Sequence, residues 1–171
     1  MKKIAFILFL FSQALLAQVS YLLPSEQAIF SFETTKGKKV MLAKDKGNKY
    51  IIYRFGTNDK IELEYPEKDK SSWSKFMYVH YSRGGGKANA GLEIDNIVFE
   101  KDGYRYVIYR DYTAGDDTTP EKTTVGIAVT SPKPSEITTD INGRISTIKG
   151  SWYELRTDGF LQDGAEKYGY Y

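Results

Sequence analysis

The chain reads as an all-β protein, a single antiparallel β-barrel or curled sandwich of about eight strands. Three observations predict this. Short runs alternate apolar and polar residues with period two. Turn-forming Gly, Asn, Asp and Pro separate those runs at regular intervals. Tyrosine occurs 14 times and 15% of the chain is aromatic, a usage that suits pleated, half-buried surfaces.

The first segment is a targeting signal rather than an element of the fold. Met1, Lys2 and Lys3 give a basic start, Ile4 to Leu16 is apolar apart from Ser12 and Gln13, and Ala17 offers a small residue for cleavage. That layout is a secretory signal peptide over 1–17, leaving one β domain over 18–171. The apolar run is too short to span a bilayer.

The expected strands follow in order. In 28–35 ("AIFSFETT"), Ala28, Phe30 and Phe32 share a face, and "TKGK" turns the chain into 39–44. After "DKGN" come 49–55 ("KYIIYRF") and 60–66 ("KIELEYP"). Matching their apolar faces pairs Phe55 with Ile61 and Tyr53 with Leu63, which places Arg54 across from Glu62. The polar stretch 67–75 is a loop, 76–82 is the fifth strand, and 83–91 ("RGGGKANAG") is a mobile glycine-rich connection. Strands 92–100 and 104–112 form a hairpin around Asp102-Gly103, a pair that tolerates the positive φ of a two-residue turn. That register sets Glu100 against Arg105 and Asp95 against Arg110, with Phe99, Ile97, Tyr106 and Ile108 facing the core. A polar loop at 113–122 leads to the eighth strand, 123–130. Beyond it the pattern weakens. Residues 140–150 suggest one more hairpin around Asn142-Gly143, and "SWYELRTDGF" a short helix capped by Ser151 with Glu154 completing the box.

Composition excludes several classes of function. The whole chain carries 24 basic and 22 acidic residues, and loss of Lys2 and Lys3 with the signal leaves no net charge. A neutral chain has no field to attract nucleic acid or an anionic membrane. With no cysteine there is no disulfide scaffold, thiol nucleophile or thiolate metal site.

The candidates for chemistry are few. His80 is the only histidine, and reads as a structural strand residue; Ser82 beside it lacks the surroundings of a catalytic triad. Asp116, Asp117 and Glu121 gather oxygen ligands on one loop without any calcium-loop spacing. Glu62, Glu64, Asp95 and Asp111 are the carboxylates a glycosidase would need, and the first three are already explained by strand pairing or outward orientation. Gly86-Lys87 runs on to Ala88 and a strand, so it is not a phosphate loop. No cofactor or metal is expected. The one loop that suggests a partner is 83–91, where Gly84, Gly85 and Gly86 give freedom and Arg83 and Lys87 supply only positive charge.

The stretch "NKYIIYRFGTNDKIELEYP", with "YRYVIYRDYTAGDD" further on, resembles a group of small exported bacterial β-proteins of uncharacterised function that share a YRFGT…IELE(F/Y)P pattern, over residues 28 to 130. A looser likeness is to periplasmic inhibitors of lysozyme, where a short polar loop blocks an acidic cleft; "SRGGGKANAG" is reminiscent of that loop. The signal and the lack of a catalytic motif lead to the expectation of a periplasmic or secreted, non-enzymatic binding module with a protein partner in the envelope or outside the cell; an inhibitor of a cell-wall hydrolase is the specific form that the looser likeness implies. A barrel holding a small apolar ligand is the alternative, and a carboxylate-dependent hydrolase a third.

Overall fold

The computed structural model describes residues 20–169, so the expected signal at 1–17 lies outside the described residues. The chain forms β1 (Glu26–Glu33), β2 (Lys39–Asp45), β3 (Ile51–Thr57), β4 (Lys60–Tyr65), β5 (Phe76–Arg83), β6 (Leu92–Lys101), β7 (Tyr104–Thr113), β8 (Lys122–Thr130), β9 (Thr138–Asn142), β10 (Lys149–Gly150) and β11 (Gln162–Asp163). Two short helices, α1 (Tyr153–Thr157) and α2 (Ala165–Tyr168), follow β10 and β11 respectively. The protein is mostly β, as its alternating sequence predicts.

The strands make a five-stranded sheet in the order β10-β1-β2-β3-β4 and a six-stranded sheet in the order β11-β5-β6-β7-β8-β9. Neighbours are antiparallel except β11, which lies parallel to β5. The sheets meet along one edge. Thr34 bridges Gly143, and the Arg144 N–H donates to Glu33 O at 2.8 Å. They do not close into a barrel. Phe30, Phe32, Leu42, Ile51 and Tyr53 of the first sheet pack with Phe76, Ile97, Phe99, Ile108 and Ile127 of the second in one continuous core. Trp152 and Leu155 join that cluster from the α1 segment, and the Trp152 ring lies 3.9 Å from that of Phe30, centroid to centroid.

Two expected registers have different outcomes. The β6–β7 hairpin is as expected: Glu100 faces Arg105, Asp95 faces Arg110, and Asp102 and Gly103 take φ of 52° and 79°. The β3–β4 hairpin corrects the expectation. Arg54 faces Glu64, not Glu62, Phe55 faces Leu63, and only Asn58 and Asp59 form the turn. Glu62 is the extra residue of a bulge in β4, and it turns away to pair with Lys38. Gly56 permits that bulge, because a Cβ there would meet Lys60 O at 2.1 Å.

Three further expectations are corrected. A register shift between Ala28 and Phe30 turns Ala28 outward and buries Ile29 instead. Asn142-Gly143 is not a hairpin turn; Gly143 N–H donates to Val125 O, and the chain crosses from β9 to the other sheet, where β10 pairs with β1. A Cβ on Gly143 would meet the Phe32 ring at 2.6 Å, so the crossing needs glycine. The helix at α1 exists, but Trp152 occupies its N-cap position and Ser151 Oγ accepts the Tyr153 N–H at 3.1 Å.

Both outer faces carry cover. Leu22 packs against Ala43, Tyr50 and Ile52 on the five-stranded sheet. Beneath the same N-terminal segment, Arg54 donates to Glu26 through Nη1 at 2.6 Å and Nη2 at 2.8 Å, and to Tyr21 O at 2.9 Å. On the six-stranded sheet Ala165 and Tyr168 of α2 pack against Val79, Val98 and Val107, leaving the neighbouring part of that face open.

Candidate functional site

The open part of the six-stranded sheet is a recess of about 310 Å³. Strand alternation builds it. Asn96 of β6 pairs with Tyr109 of β7, and Tyr109 with Gly126 of β8. The next row is Val98, Val107, Ala128 and Asp140, and the row after it Glu100, Arg105, Thr130 and Thr138. Ile94 and Asp111 form the row on the other side of Asn96. All these side chains share the face opposite the core because each is an even number of residues from its strand neighbours in the set.

Asn96 lies at the bottom of the recess. It is 0% exposed, and neither Nδ2 nor Oδ1 has a hydrogen-bond partner among the described residues. Leaving buried polar groups unpaired costs about 1–3 kcal/mol, so this residue works against the fold. Asp111 stands beside it with Oδ1 likewise unpartnered. Burial pushes its carboxyl up to about 6; the Asp95 backbone N–H and Arg110 hold it back, and the Asp95 charge adds to the rise. Tyr109 forms a wall. Its ring lies across Gly126, where a Cβ would meet the phenol oxygen at 2.4 Å, and its hydroxyl reaches Asn142 Oδ1 at 3.4 Å.

The raised carboxyl has a pH consequence. An unfolded aspartate loses its proton near 3.9, whereas folded Asp111 keeps it to about 6. Between those values the folded state binds more protons, so stability falls as pH rises through that window. Asp111→Asn is expected to raise stability at pH 7.5 by about 1–2 kcal/mol, discounted for partial solvent screening. Urea titrations at pH 4 and 7.5 test this; an equal change at both pH values would contradict it.

A second polar group lies on the core-facing side of the same sheet, beyond the apolar core. Asp95 accepts from the Tyr78 hydroxyl and from His80 Nδ1 at 2.9 Å. Arg156 Nη1 lies 2.6 Å from His80 Nε2. Arginine only donates, so Nε2 accepts and Nδ1 carries the proton toward Asp95. His80, Glu93 and Asp95 bring their ligand atoms within 4.8 Å of one another, a spacing that suits a metal. Arg110 sits 3.7 Å from Glu93 and 3.9 Å from Asp95, so with Arg156 two guanidinium groups already supply the positive charge there. The histidine ties the α1 segment to the sheet.

The loop chosen from sequence is exposed from Arg83 through Lys87 and stands at the end of the β5–β6 hairpin. It is more ordered in its bonding than its glycines suggest. Residues Gly86–Asn89 form a 3-10 turn, Arg83 folds back with Nε and Nη2 on Ala90 O at 3.1 and 2.7 Å, and Gly91 N–H donates to Gly86 O. Lys87 is the cation left outward. In the acidic loop, Asp116 accepts from the Thr118 and Thr119 backbone N–H groups, so one of its two aspartates holds the turn. Among the glycosidase candidates, Glu62 and Glu64 are paired with Lys38, and with Arg54 and Lys68. Only Asp111 enters the recess.

No known protein family, curated protein or solved structure matches this chain.

Sequence reasoning singled out Asp111 but passed over Asn96, Tyr109 and Asp140. The signal was present in "LEIDNIVFE". With Ile97 and Phe99 assigned to the core, Ile94 and Val98 must line the opposite face, and an asparagine between them is a polar residue on a face that is itself half-buried.

Proposed function

We propose that the chain is an exported, non-enzymatic binding module with a curled two-sheet sandwich fold, which takes a small polar ligand in the outer recess of its six-stranded sheet. The observation that carries this reading is Asn96, a fully buried amide with donor and acceptor both unmet at the bottom of a concavity. Pockets that bind small molecules combine apolar walls with a few convergent polar groups. Val107 and Ala128 supply the walls, and Asn96 and Asp111 the polar groups. Between the sheets a second recess of about 240 Å³, lined by apolar and aromatic side chains such as Phe55, Leu63, Ile127 and Val129, is where an apolar ligand would sit; among the described residues it brings no buried, unpartnered polar group to orient one, so the outer recess is preferred. Export, and a periplasmic or secreted location, rest on the first 17 residues.

The test is a titration of the mature, isotopically labelled protein with a set of chemically diverse small polar molecules, followed by amide NMR. Binding is expected to shift the Asn96 side-chain and the Val107 and Ala128 backbone signals, and Ala128→Trp, which fills the recess, is expected to abolish those shifts. Shifts that persist in Ala128→Trp would remove the recess from the reading. Unfiltered one-dimensional proton spectra of the same samples report turnover. A molecule hydrolysed rather than returned intact would replace the binding reading with the carboxylate-dependent hydrolase, Asp111 acting as its acid.

A second reading keeps the protein partner, an inhibited cell-wall hydrolase, at loop 83–91. The run of exposed residues at a hairpin tip with Lys87 directed outward favours it. Inhibition assays over a small lysozyme panel with Lys87→Ala test it; equal inhibition by the variant would exclude this loop.

A further inference from the structure

The chemistry of the recess narrows the ligand, given the binding reading above. We infer that the recess is a carbohydrate subsite, in which Asn96, closed over in the ligand-free protein and uncovered as the ligand displaces the side chains above it, reads two adjacent hydroxyl groups of a neutral sugar. A carboxamide holds its oxygen and its NH2 side by side in one plane. Its complement must therefore present a donor and an acceptor side by side. Neighbouring hydroxyls of a sugar do this, since each hydroxyl donates one hydrogen bond and accepts others. The planar edge of a pyrimidine does so too.

Three features favour the sugar. First, the other groups of the recess are rich in acceptors. Asp111 Oδ1 has no partner, Asp140 is an exposed carboxylate at the rim, and the Thr130 and Thr138 hydroxyls, 2.9 Å apart, can exchange roles. A polyol meets such a set from several directions with hydroxyls that each donate and accept, whereas a pyrimidine's remaining polar groups lie in the plane of its ring. Second, the recess has one aromatic wall. Tyr109 is the single aromatic ring of the lining, the kind of group that takes the C–H face of a pyranose, and the other walls are the aliphatic Val107 and Ala128. A flat base would place its second face against no ring. Third, charge is mixed. Arg105 stands with Asp111 and Asp140, so nothing in the lining selects a phosphate or another anion. The volume of about 310 Å³ is at the small end for a ligand pocket and fits one sugar residue of a longer chain.

The experiment titrates the labelled mature protein with cello-, malto-, xylo-, manno- and chito-trioses, and separately with uracil, while following the Asn96 side-chain NH2 pair and the Tyr109 ring signals. At least one triose is expected to shift both saturably. Asn96→Leu is expected to weaken that triose tenfold or more while leaving the rest of the spectrum folded, and a deoxy analogue lacking one of the two hydroxyls is expected to lose a similar factor. Saturable binding of uracil with no response to any triose would overturn the sugar and leave the binding module standing. A triose that binds Asn96→Leu as well as wild type would overturn the subsite. No response to any probe at Asn96 would overturn both readings.

Discussion

Arg54→Met is expected to destabilise the protein by about 3–5 kcal/mol, the effect of leaving one member of a buried ion pair without the other. Arg54 is 1% exposed and the Glu26 side chain 0%. The two meet through parallel hydrogen bonds of 2.6 and 2.8 Å, and Glu26 also accepts from the Leu23 N–H and the Tyr50 hydroxyl. Burial works against the Glu26 charge, yet the bonds from Arg54, Leu23 and Tyr50 prevail and hold its carboxyl at about 2. An unfolded glutamate titrates near 4.3. The stabilisation is therefore complete above that value and lost as pH falls toward 2. Wild type is expected to lose stability in acid over this window, and Arg54→Met to lose little more. The double change Arg54→Met with Glu26→Leu is expected to recover part of the loss, because no buried charge is left unpaired, while the Tyr50 hydroxyl and the Leu23 N–H lose their acceptor. Denaturant titrations at pH 7 and pH 3 measure all of this; a double variant as unstable as the single one would show that packing, not charge, sets the effect.

Trp152→Ala is expected to cost about 3–5 kcal/mol, toward the lower end. The ring is 2% exposed and packs at a tilt of 33° against Phe30 at the centre of β1. Its indole Nε1 has no hydrogen-bond partner among the described residues, so truncation also removes one unpaired donor. The loss is expected to spread along the chain. β10 and Ser151 reach β1 through the Phe30–Gly150 and Ser31–Lys149 pairs and the Ser151 N–H to Ile29 O bond, and Arg156 of α1 reaches His80 four residues beyond Trp152. Trp152→Phe keeps the ring against Phe30 and removes the orphan N–H but leaves a small cavity, so it is expected to cost clearly less than Trp152→Ala, about 1–2 kcal/mol. Equal losses for Phe and Ala would contradict this account.

Particular residues show what the sequence made legible. The first eight strands were visible because alternation and turn residues act over a few positions, and the β6–β7 register followed from Asp102-Gly103 alone. The β3–β4 register was not visible. Apolar matching allows any even offset, and the choice between Glu62 and Glu64 depends on a bulge admitted by Gly56. The partner of Arg54 was hidden for another reason: Glu26 lies 28 residues earlier, and no local pattern joins them. The crossing at Gly143 and the pairing of β10 with β1 are likewise long-range, set by the Phe32 ring and Val125 beneath that glycine. Of the recess, sequence offered Asp111. Asn96 was read as part of an ordinary strand, since its isolation appears only when β7, β8 and β9 are laid beside β6.

The central claim is that Asn96 is present for a ligand and at the expense of the fold. Thermal unfolding of Asn96→Leu without ligand tests it most directly. Leucine has a similar volume and no polar atom, and its neighbours Val79, Val98 and Val107 are aliphatic. The account predicts a gain of about 1–3 kcal/mol, the penalty of an unpaired buried amide, seen as a rise in Tm. A fall in Tm would mean that the amide supports the sheet, and would contradict the claim.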